Sequence, residues 1–361
     1  MSADLNRWGE TPLSPNISPL ALKLGLDGGS PHQTEILLRV RDYDLAATLD
    51  SGQAFRWQRA GDAWCGVLGK HFLRLTQTGQ GIHAQAAAPV ADWNFLREFL
   101  QSDVDLAAIL KTFPDDAPMR AAVAACPGLR LLRQDAWECL ASFILSSTKQ
   151  IVQIRQIVSL LCERFGEPVA TVRSADFQIG GFSEGIVEKI GAPSTGSART
   201  KNQPALSEAV LGAPKNLPGR SSALRFSFPT PQRLAACTEA ELRDCKMGFR
   251  APSLLAAARA IADGKFDLER IRPRDYAAAR AELMTLRGVG GKIADCVLLF
   301  GYGFDSAFPV DVWIERALQE LYFPRRRASE QRLRKFAATH FGPHAGYAQQ
   351  YLFHYMRTKL R

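Results

Sequence analysis

Hydrophobic and polar residues alternate over five short stretches in the first third of the chain. A period of two is typical of strands that bury one face, and glycine-containing turns between the stretches favour hairpin connections. The pattern predicts strands at residues 36–40, 55–58, 63–68, 72–77 and 82–85. The longer apolar patterns at residues 90–113 and 119–125 are typical of helices. We therefore predict an antiparallel sheet domain with helices over residues 33–126.

From about residue 127 the hydrophobic positions recur with the period of a helix. Two helix starts carry polar caps, because Asp135 precedes Glu138 by three positions and Thr238 precedes Glu241 in the same way. Helices are predicted at residues 135–147, 151–165, 251–263, 276–286, 292–300, 312–321, 328–340 and 345–357. We expect an α+β fold, in which the N-terminal antiparallel sheet domain is followed by an all-helical domain over residues 127–361.

Two stretches lack either period. Residues 1–32 are rich in Pro, Ser and Gly and are expected to form a flexible tail. Residues 181–225 have a similar composition inside the helical domain, where a loop of this length is unusual. They form either a disordered insertion or an added surface element, and we predict disorder.

The charge of the chain suggests its class of partner. A net charge of +9, from 45 Lys and Arg against 36 Asp and Glu, suits a polyanion such as nucleic acid. No apolar run approaches the roughly 20 residues that span a bilayer, and the first residues lack the pattern of a secretory signal. We therefore expect an intracellular protein with no membrane partner.

The seven cysteines form no CxxC pair and no compact, even framework, so we expect reduced thiols. None of them follows Trp313, which excludes a four-cysteine iron–sulfur cluster in the C-terminal region. Metal-ligand spacing is also lacking, and we expect neither a metal nor an organic cofactor.

Residues 283–298 carry the pattern that points to chemistry. A predicted helix ends at Leu286, Gly288-Val289-Gly290 makes a turn, and a second helix starts near Lys292. Glycines allow positive φ and close approach of a partner, and the amides at a helix start can hold a phosphate of any nucleotide. A plain connection between two helices is the alternative. The apolar positions on both sides of the turn favour the phosphate-binding hairpin, with Gly288 and Gly290 in contact with DNA.

This segment resembles the helix-hairpin-helix of the base-excision DNA glycosylase superfamily. Residues 308–313, Phe-Pro-Val-Asp-Val-Trp, look like the Pro-Val-Asp signature of the same superfamily. The resemblance implies that Lys292 is the catalytic nucleophile and that Asp311, 19 positions later, is its acidic partner. Taken singly, Lys292 could be a solvated lysine at a helix start and Asp311 a helix N-cap.

The chemistry of this pair is coherent. Cleavage of a glycosidic bond builds positive charge on the sugar, which a carboxylate stabilises. A neutral lysine amine attacks the anomeric carbon and forms a Schiff base, from which β-elimination cuts the strand. Members of the superfamily that lack the lysine hydrolyse with water, so Lys292 predicts combined glycosylase and lyase activity.

The string at residues 51–57, Ser-Gly-Gln-Ala-Phe-Arg-Trp, resembles that of 8-oxoguanine DNA glycosylases, and the similarity covers roughly residues 33–360 apart from the insertion. In that family the glycine carbonyl accepts the N7 hydrogen that oxidised guanine has and guanine lacks, a role the resemblance gives to Gly52. A single buried bond of this kind discriminates well, because the wrong base leaves a polar group unpaired. A glycine of a hairpin or a sheet edge, without a role in recognition, is the alternative.

The resemblance also suggests the rest of the base pocket. Within residues 346–353, Gln349 would bond the edge of the extruded base and Phe353 would stack on it, with Cys296 against the other face. A solvent-facing Gln, a core Phe and a core Cys are the alternatives. Further along the cleft, Phe249 would wedge into the duplex where the family usually has Tyr, and Arg250 would contact the cytosine left opposite.

Three positions depart from the family. Thr148 replaces an asparagine that fills the gap left by the extruded base, and Gln153 stands where an arginine often reads the cytosine. Trp313 replaces a histidine that supports the DNA backbone. We infer weaker selectivity for cytosine opposite the lesion and no loss of catalysis, with Thr148 and Trp313 still in contact with DNA.

The sequence thus predicts a bifunctional enzyme that excises 8-oxoguanine from double-stranded DNA in base excision repair. We expect a monomer, located in a bacterial cytoplasm rather than a nucleus. Two alternatives stay open: a glycosylase of the same superfamily for an oxidised pyrimidine or an alkylated purine, and a non-catalytic DNA-binding protein that uses the hairpin alone. The missing cysteine cluster and the string at residues 51–57 count against an oxidised pyrimidine, and Lys292 counts against an alkylated purine. The presence of both Lys292 and Asp311 counts against a non-catalytic protein.

Overall fold

The computed structural model of the protein describes residues 33–147, 150–170, 223–325 and 327–359. The predicted tail at residues 1–32 and Thr148 lie outside the described residues, as does the predicted insertion except for its end. There Ala223–Arg225 forms a single 3-10 turn, which the loop-like composition did not predict.

An antiparallel sheet forms the N-terminal part, as the alternating pattern predicts. Its strands are β1 (Gln33–Leu38), β2 (Trp57–Ala60), β3 (Ala63–Leu68), β4 (His71–Thr78) and β5 (Gly81–Val90), in the spatial order β1-β5-β4-β3-β2. In β4, Leu73 and Leu75 are fully buried whereas Arg74 between them is half-buried, so the period of two selects the core face. A short helix that was not predicted, α1 (Leu45–Asp50), follows β1 and is capped by Asp44.

The prediction of one continuous helix at residues 90–113 is wrong. Two shorter helices occupy this stretch, α2 (Asn94–Leu100) and α3 (Leu106–Leu110). Gln101 ends the first with a left-handed φ of 53°, and the Asp105 side chain caps the second. Both helices bury apolar residues, so the hydrophobic pattern continues across the break and does not reveal it.

The remaining described chain is mainly helical, as predicted. The helices are α4 (Ala117–Ala125), α5 (Ala136–Leu145), α6 (Ile151–Phe165), α7 (Pro231–Ala235), α8 (Glu239–Leu242), α9 (Ala251–Ala262), α10 (Tyr276–Leu283), α11 (Gly291–Val297), α12 (Val312–Tyr322), α13 (Glu330–His340) and α14 (Ala345–Lys359). The cap expected at Thr238 is a full capping box at the start of α8. At α5, Asp135 accepts from the Glu138 amide as expected, while the Glu138 carboxylate pairs with Arg56. Helix α7 was not predicted, because five residues contain little of a helical period.

Two buried cores hold these elements together. The smaller core lies between the sheet and the helices α1 and α2, with Trp57 and Leu96 among its members. The larger core joins α3 and α4 to the C-terminal helices, and Met119 and Tyr351 belong to it. Helix α14 packs on both α4 and α12, which brings the last helix next to the loop that follows α1. In the described parts of the chain, no helix combines the length and the apolar composition that crossing a membrane requires.

Candidate active site

A cleft of about 470 Å³ opens between the loop after α1, the N-terminal ends of α11 and α12, and helix α14. Seven of the residues singled out in the sequence line it: Gly52, Lys292, Cys296, Asp311, Trp313, Gln349 and Phe353. Four other predicted DNA contacts lie outside its lining: Phe249, Arg250, Gly288 and Gly290. Residues far apart in the sequence thus converge on one concave site.

The predicted hairpin joins α10 to α11. Gly288 has a φ of 81°, and a Cβ there would overlap the side chain of Ser253 on α9, so the position requires glycine. Gly290 is the N-cap residue of α11, and a Cβ there would meet open space. Leu286 and Val289 are buried and anchor the turn. The backbone at Gly290 is therefore accessible, and its contact with phosphate stays a prediction.

A buried carboxylate fixes the second helix of the hairpin. Asp295 of α11 is 2% exposed and accepts hydrogen bonds from the Tyr276 hydroxyl and the Arg280 Nε, both at 2.7 Å. Arg334 of α13 approaches its other oxygen at 3.9 Å. Burial raises the pKa of the Asp295 carboxyl, whereas the bonds from Arg280 and Tyr276 lower it. These contacts connect α10 and α13 to α11. They fix the orientation of α11, the helix that carries Lys292.

Lys292 lies half-buried on the wall of the cleft. Its Nζ donates to the Ser146 Oγ at 3.2 Å and lies 5.6 Å from the ring centroid of Phe143. The Ser146 hydroxyl itself donates to the Phe143 carbonyl at 2.8 Å, so its oxygen is left to accept from the amine. The end of α5 thereby holds the amine in the cleft.

Asp311 faces the same cleft from the start of α12. Its Oδ1 accepts from the Ile314 amide at 2.9 Å, so the aspartate is the N-cap of this helix, as one of the two sequence interpretations proposed. Burial raises the pKa of the carboxyl, while the Ile314 and Trp313 amides and the Lys292 cation oppose this shift. The cap engages one carboxylate oxygen, and the pair of Lys292 and Asp311 places an amine and an acid in one partly desolvated site.

Three side chains that the sequence assigns to the base pocket line the cleft. Gln349 is 4% exposed, and its Oε1 is buried without a hydrogen-bond partner among the described residues. A buried polar atom of this kind requires an explanation, and a ligand supplies one. Cys296 is buried, and burial raises the pKa of its thiol to about 12, so it offers a neutral wall. Phe353 is half-buried, with the Arg357 guanidinium 5.4 Å from its ring centroid.

Gly52 lines the cleft from the loop after α1. Its φ is 85°, and a Cβ at this position would lie 2.6 Å from Cδ1 of Ile151. The backbone conformation therefore favours glycine, and any side chain here would also push aside the end of the Ile151 side chain. The alternative of an unremarkable hairpin glycine does not fit, because Gly52 lies outside the strands and lines the cleft.

The predicted wedge segment precedes α9. Phe249 is 65% exposed, and the Arg250 guanidinium stacks 4.2 Å from its ring centroid. Arg250 itself is only 4% exposed and donates to the Met247 carbonyl at 3.2 Å. Burial lowers the pKa of this guanidinium. The structure thus shows a buried Arg250 rather than an exposed one. The predicted contact with cytosine requires that its side chain leave this site.

Two of the positions that depart from the family are described. The Gln153 Oε1 accepts from the Gln150 amide at 3.2 Å and caps α6, so this side chain is engaged in the protein. Trp313 is 38% exposed at the rim of the cleft.

Several residues that shape the site were not predicted from the sequence. Ser146 and Phe143 hold Lys292, Asp295 orients its helix, and Gln350 bonds the loop that carries Gly52. Asp295 had a usable signal, because an acidic residue within the apolar pattern of α11 indicates a buried polar pair. The others had none, because each acts through a partner more than 100 positions away or through a ring of ordinary core type.

Comparison with known proteins gives matches over both parts of the chain. The model of the 8-oxoguanine DNA glycosylase N-terminal domain matches residues 35–140, and that of the HhH-GPD superfamily of base excision DNA repair proteins matches residues 203–341. The chain is 32% identical over 273 residues to the probable N-glycosylase/DNA lyase of Methanothermobacter thermautotrophicus, covering 73% of this chain and 75% of that protein.

Two further similarities extend over most of the chain. The N-glycosylase/DNA lyase OGG1 of Arabidopsis thaliana is 25% identical over 360 residues, covering 95% of this chain and 85% of that protein. The Clostridium acetobutylicum 8-oxoguanine glycosylase/lyase, solved with double-stranded DNA containing cytosine opposite 8-oxoguanine, superposes with a TM-score of 0.71 at 26% identity. That superposition covers 89% of this chain and 94% of the solved one.

Proposed function

The chain belongs to the 8-oxoguanine DNA glycosylase family of the HhH-GPD base-excision superfamily, and we propose that its cleft excises 8-oxoguanine from double-stranded DNA through attack by the Lys292 amine. Like the relatives named N-glycosylase/DNA lyase, it is a DNA glycosylase with lyase activity at abasic sites, acting in DNA repair. One observation carries the proposal: Lys292 and Asp311 meet Gly52 and Gln349 in a single cleft.

Recognition of the base rests on groups that line the cleft. The damaged nucleotide turns out of the duplex and enters a space of about 470 Å³. The Gly52 carbonyl accepts the N7 hydrogen of the oxidised base, and the unpaired amide oxygen of Gln349 gains a partner on the base edge. Phe353 stacks on one face and Cys296 contacts the other.

The reaction proceeds in two stages. The Lys292 nitrogen, after loss of a proton, forms a bond to the anomeric carbon while the bond to the base breaks, and the base leaves with the electron pair and takes up a proton. Asp311 stabilises the positive charge that develops on the sugar. Ring opening gives a Schiff base, and loss of a proton from the adjacent carbon expels the 3′ phosphate by β-elimination.

Borohydride trapping tests the proposal. With a duplex that carries 8-oxoguanine opposite cytosine, we expect the reductant to convert the Schiff base into a stable amine, seen as a covalent protein–DNA band. An undamaged duplex of the same sequence is the control and should give no band. Base release that leaves alkali-labile sites but never a trapped band would overturn the role of Lys292, and no release at all would overturn the substrate.

The same duplexes test the reading of the opposite base. Gln153 caps its own helix and Arg250 is buried, so neither is poised to select cytosine. We therefore propose that excision depends weakly on the base opposite the lesion. Measured with each of the four bases, rates that spread over several orders of magnitude in favour of cytosine would contradict this.

Gly52→Ala should impair both stability and excision. The positive φ strains any other residue, and the methyl group must displace Ile151, so we expect a loss of roughly 1–3 kcal/mol in the free energy of unfolding. The shifted carbonyl should lower excision of 8-oxoguanine about tenfold or more. Denaturant unfolding and single-turnover excision measure the two effects.

A matched control is Gly61→Ala in the turn between β2 and β3. Gly61 has a φ of 66°, yet a Cβ there would meet open space. This variant therefore reports the backbone strain without the contact, and its excision rate should equal that of the wild type. If the two variants unfold alike and excise alike, the contact with Ile151 has no importance.

A further inference from the structure

The loop that carries Gly52 is held by side chains on both sides of this residue. We propose that Gln350 is a positioning residue that fixes the Gly52 carbonyl for the N7 hydrogen of the oxidised base. This assignment rests on the proposed function and adds to it a determinant of base selectivity.

Consecutive carbonyls of this loop show the arrangement. The Asp50 carbonyl accepts from the Arg357 Nη1 at 3.4 Å, the Ser51 carbonyl from the Gln350 Nε2 at 3.2 Å, and the Gln53 carbonyl from the Gln134 Nε2 at 2.6 Å. Within the part of the chain that the structure describes, no group donates to the Gly52 carbonyl. The protein thus satisfies the carbonyls on both sides and leaves the one between them for a ligand.

The two sides of Gly52 are held differently. After it, the fully buried Gln53 side chain donates to the Thr48 and Arg130 carbonyls and accepts from the Leu132 amide at 2.8 Å. Before it, in the described part of the chain, the carbonyls of residues 50 and 51 accept from Arg357 and Gln350 of α14. The Asp50 carboxylate and the Ser51 hydroxyl have other partners, Arg155 and the Thr48 carbonyl. Because glycine has the widest choice of φ and ψ, the loop needs an anchor on this side as well.

Two neighbouring glutamines of helix α14 therefore lie at the base pocket and at the loop that carries Gly52. Gln349 lines the cleft and has a buried amide oxygen that lacks a partner among the described residues, and the adjacent Gln350, 3% exposed, bonds the Ser51 carbonyl. Without Gln350 the Ser51 carbonyl is buried and lacks its donor, so the Ser51–Gly52 peptide is expected to turn in search of another one. Rotation of this peptide moves the next carbonyl, that of Gly52, away from the base.

A variant without the donor tests the assignment. Gln350→Met keeps an unbranched side chain of similar length, and we expect it to lower excision of 8-oxoguanine about tenfold. Cleavage of a duplex with a preformed abasic site requires Lys292 but no base, so its rate should equal that of the wild type. The preference for 8-oxoguanine over guanine in DNA binding should fall by a similar factor.

Thr358→Val, on an exposed turn of the same helix, is the matched control and should leave both reactions unchanged. Parallel losses in excision and abasic-site cleavage would show a merely structural role and overturn the assignment, as would unimpaired excision by Gln350→Met. A wild-type protein that is inactive on 8-oxoguanine but cleaves abasic sites would overturn the proposed function, and the role of Gln350 with it.

Discussion

Lys292→Gln is expected to abolish borohydride trapping and to lower excision on the order of 10⁴-fold or more, as removal of a nucleophile does in other enzymes. Glutamine keeps a polar group that donates to Ser146, but its amide nitrogen has no basic lone pair to attack the sugar. Binding to a lesion-containing duplex should stay within a few-fold of the wild type, because we expect the hairpin to supply the phosphate contacts. Single-turnover kinetics and a binding titration measure the two effects.

Lys265→Gln serves as the control for loss of one positive charge. Lys265 is exposed and pairs with Asp263 at 2.9 Å, and it takes no part in the cleft lining. This variant should trap and excise as the wild type does. If Lys292→Gln excised the base at the normal rate and left alkali-labile sites, water would be the nucleophile and Asp311 would be its activator.

Asp311→Asn is expected to lower excision by on the order of 10²- to 10³-fold with little change in stability. Asparagine is a good N-cap residue, and its side-chain oxygen still accepts from the Ile314 amide, so α12 keeps its start. The neutral amide, however, lacks the negative charge that we expect to stabilise the positive sugar. Asp311→Ala removes the cap as well and should also cost about 1 kcal/mol in the free energy of unfolding.

The pH dependence of excision gives a second test of Asp311. Burial raises the pKa of this carboxyl, so the carboxylate forms only as the pH rises above the range of an exposed aspartate. Wild-type excision should therefore rise with pH through this raised pKa. The rise should vanish in Asp311→Asn, and a variant that keeps the same acidic limb would assign it to another group.

Stability should respond to pH with the opposite sign. The folded pKa of Asp311 lies above the unfolded one of about 3.9, so the folded state binds more protons between the two values. The contribution of Asp311 to stability therefore falls as the pH rises across this window. Asp311→Asn removes this contribution, and its thermal midpoint at neutral pH should equal or exceed that of the wild type.

The fold was largely predictable because each half of the chain repeats one period. Alternation located the five strands, and caps such as Thr238 and Asp135 located helix starts. The break at Gln101 could not be predicted, because a left-handed residue between two core-facing helices leaves the apolar pattern unchanged. Helix α1 was missed because six residues contain less than two helical turns.

The proposed catalytic pair was easier to single out in the sequence than the residues that contact it. Lys292 and Asp311 lie in short sequence motifs that can be identified without knowledge of the fold. The contact of Lys292 with Ser146 depends on how α5 and α11 pack, which no local pattern encodes. The burial of Arg250 was missed for the same reason, since an arginine before a helix is expected in solvent.

The bond between Gln350 and Ser51 joins residues 299 positions apart. The hairpin at Gly288 and Gly290, in contrast, is built from neighbours in the sequence. Contacts of high sequence separation form late, because a long loop must close before they add any stability. We therefore expect a partly folded chain to bind DNA through the hairpin before it can distinguish one base from another. Until α14 docks on the loop that carries Gly52, such a chain should bind damaged and undamaged DNA alike.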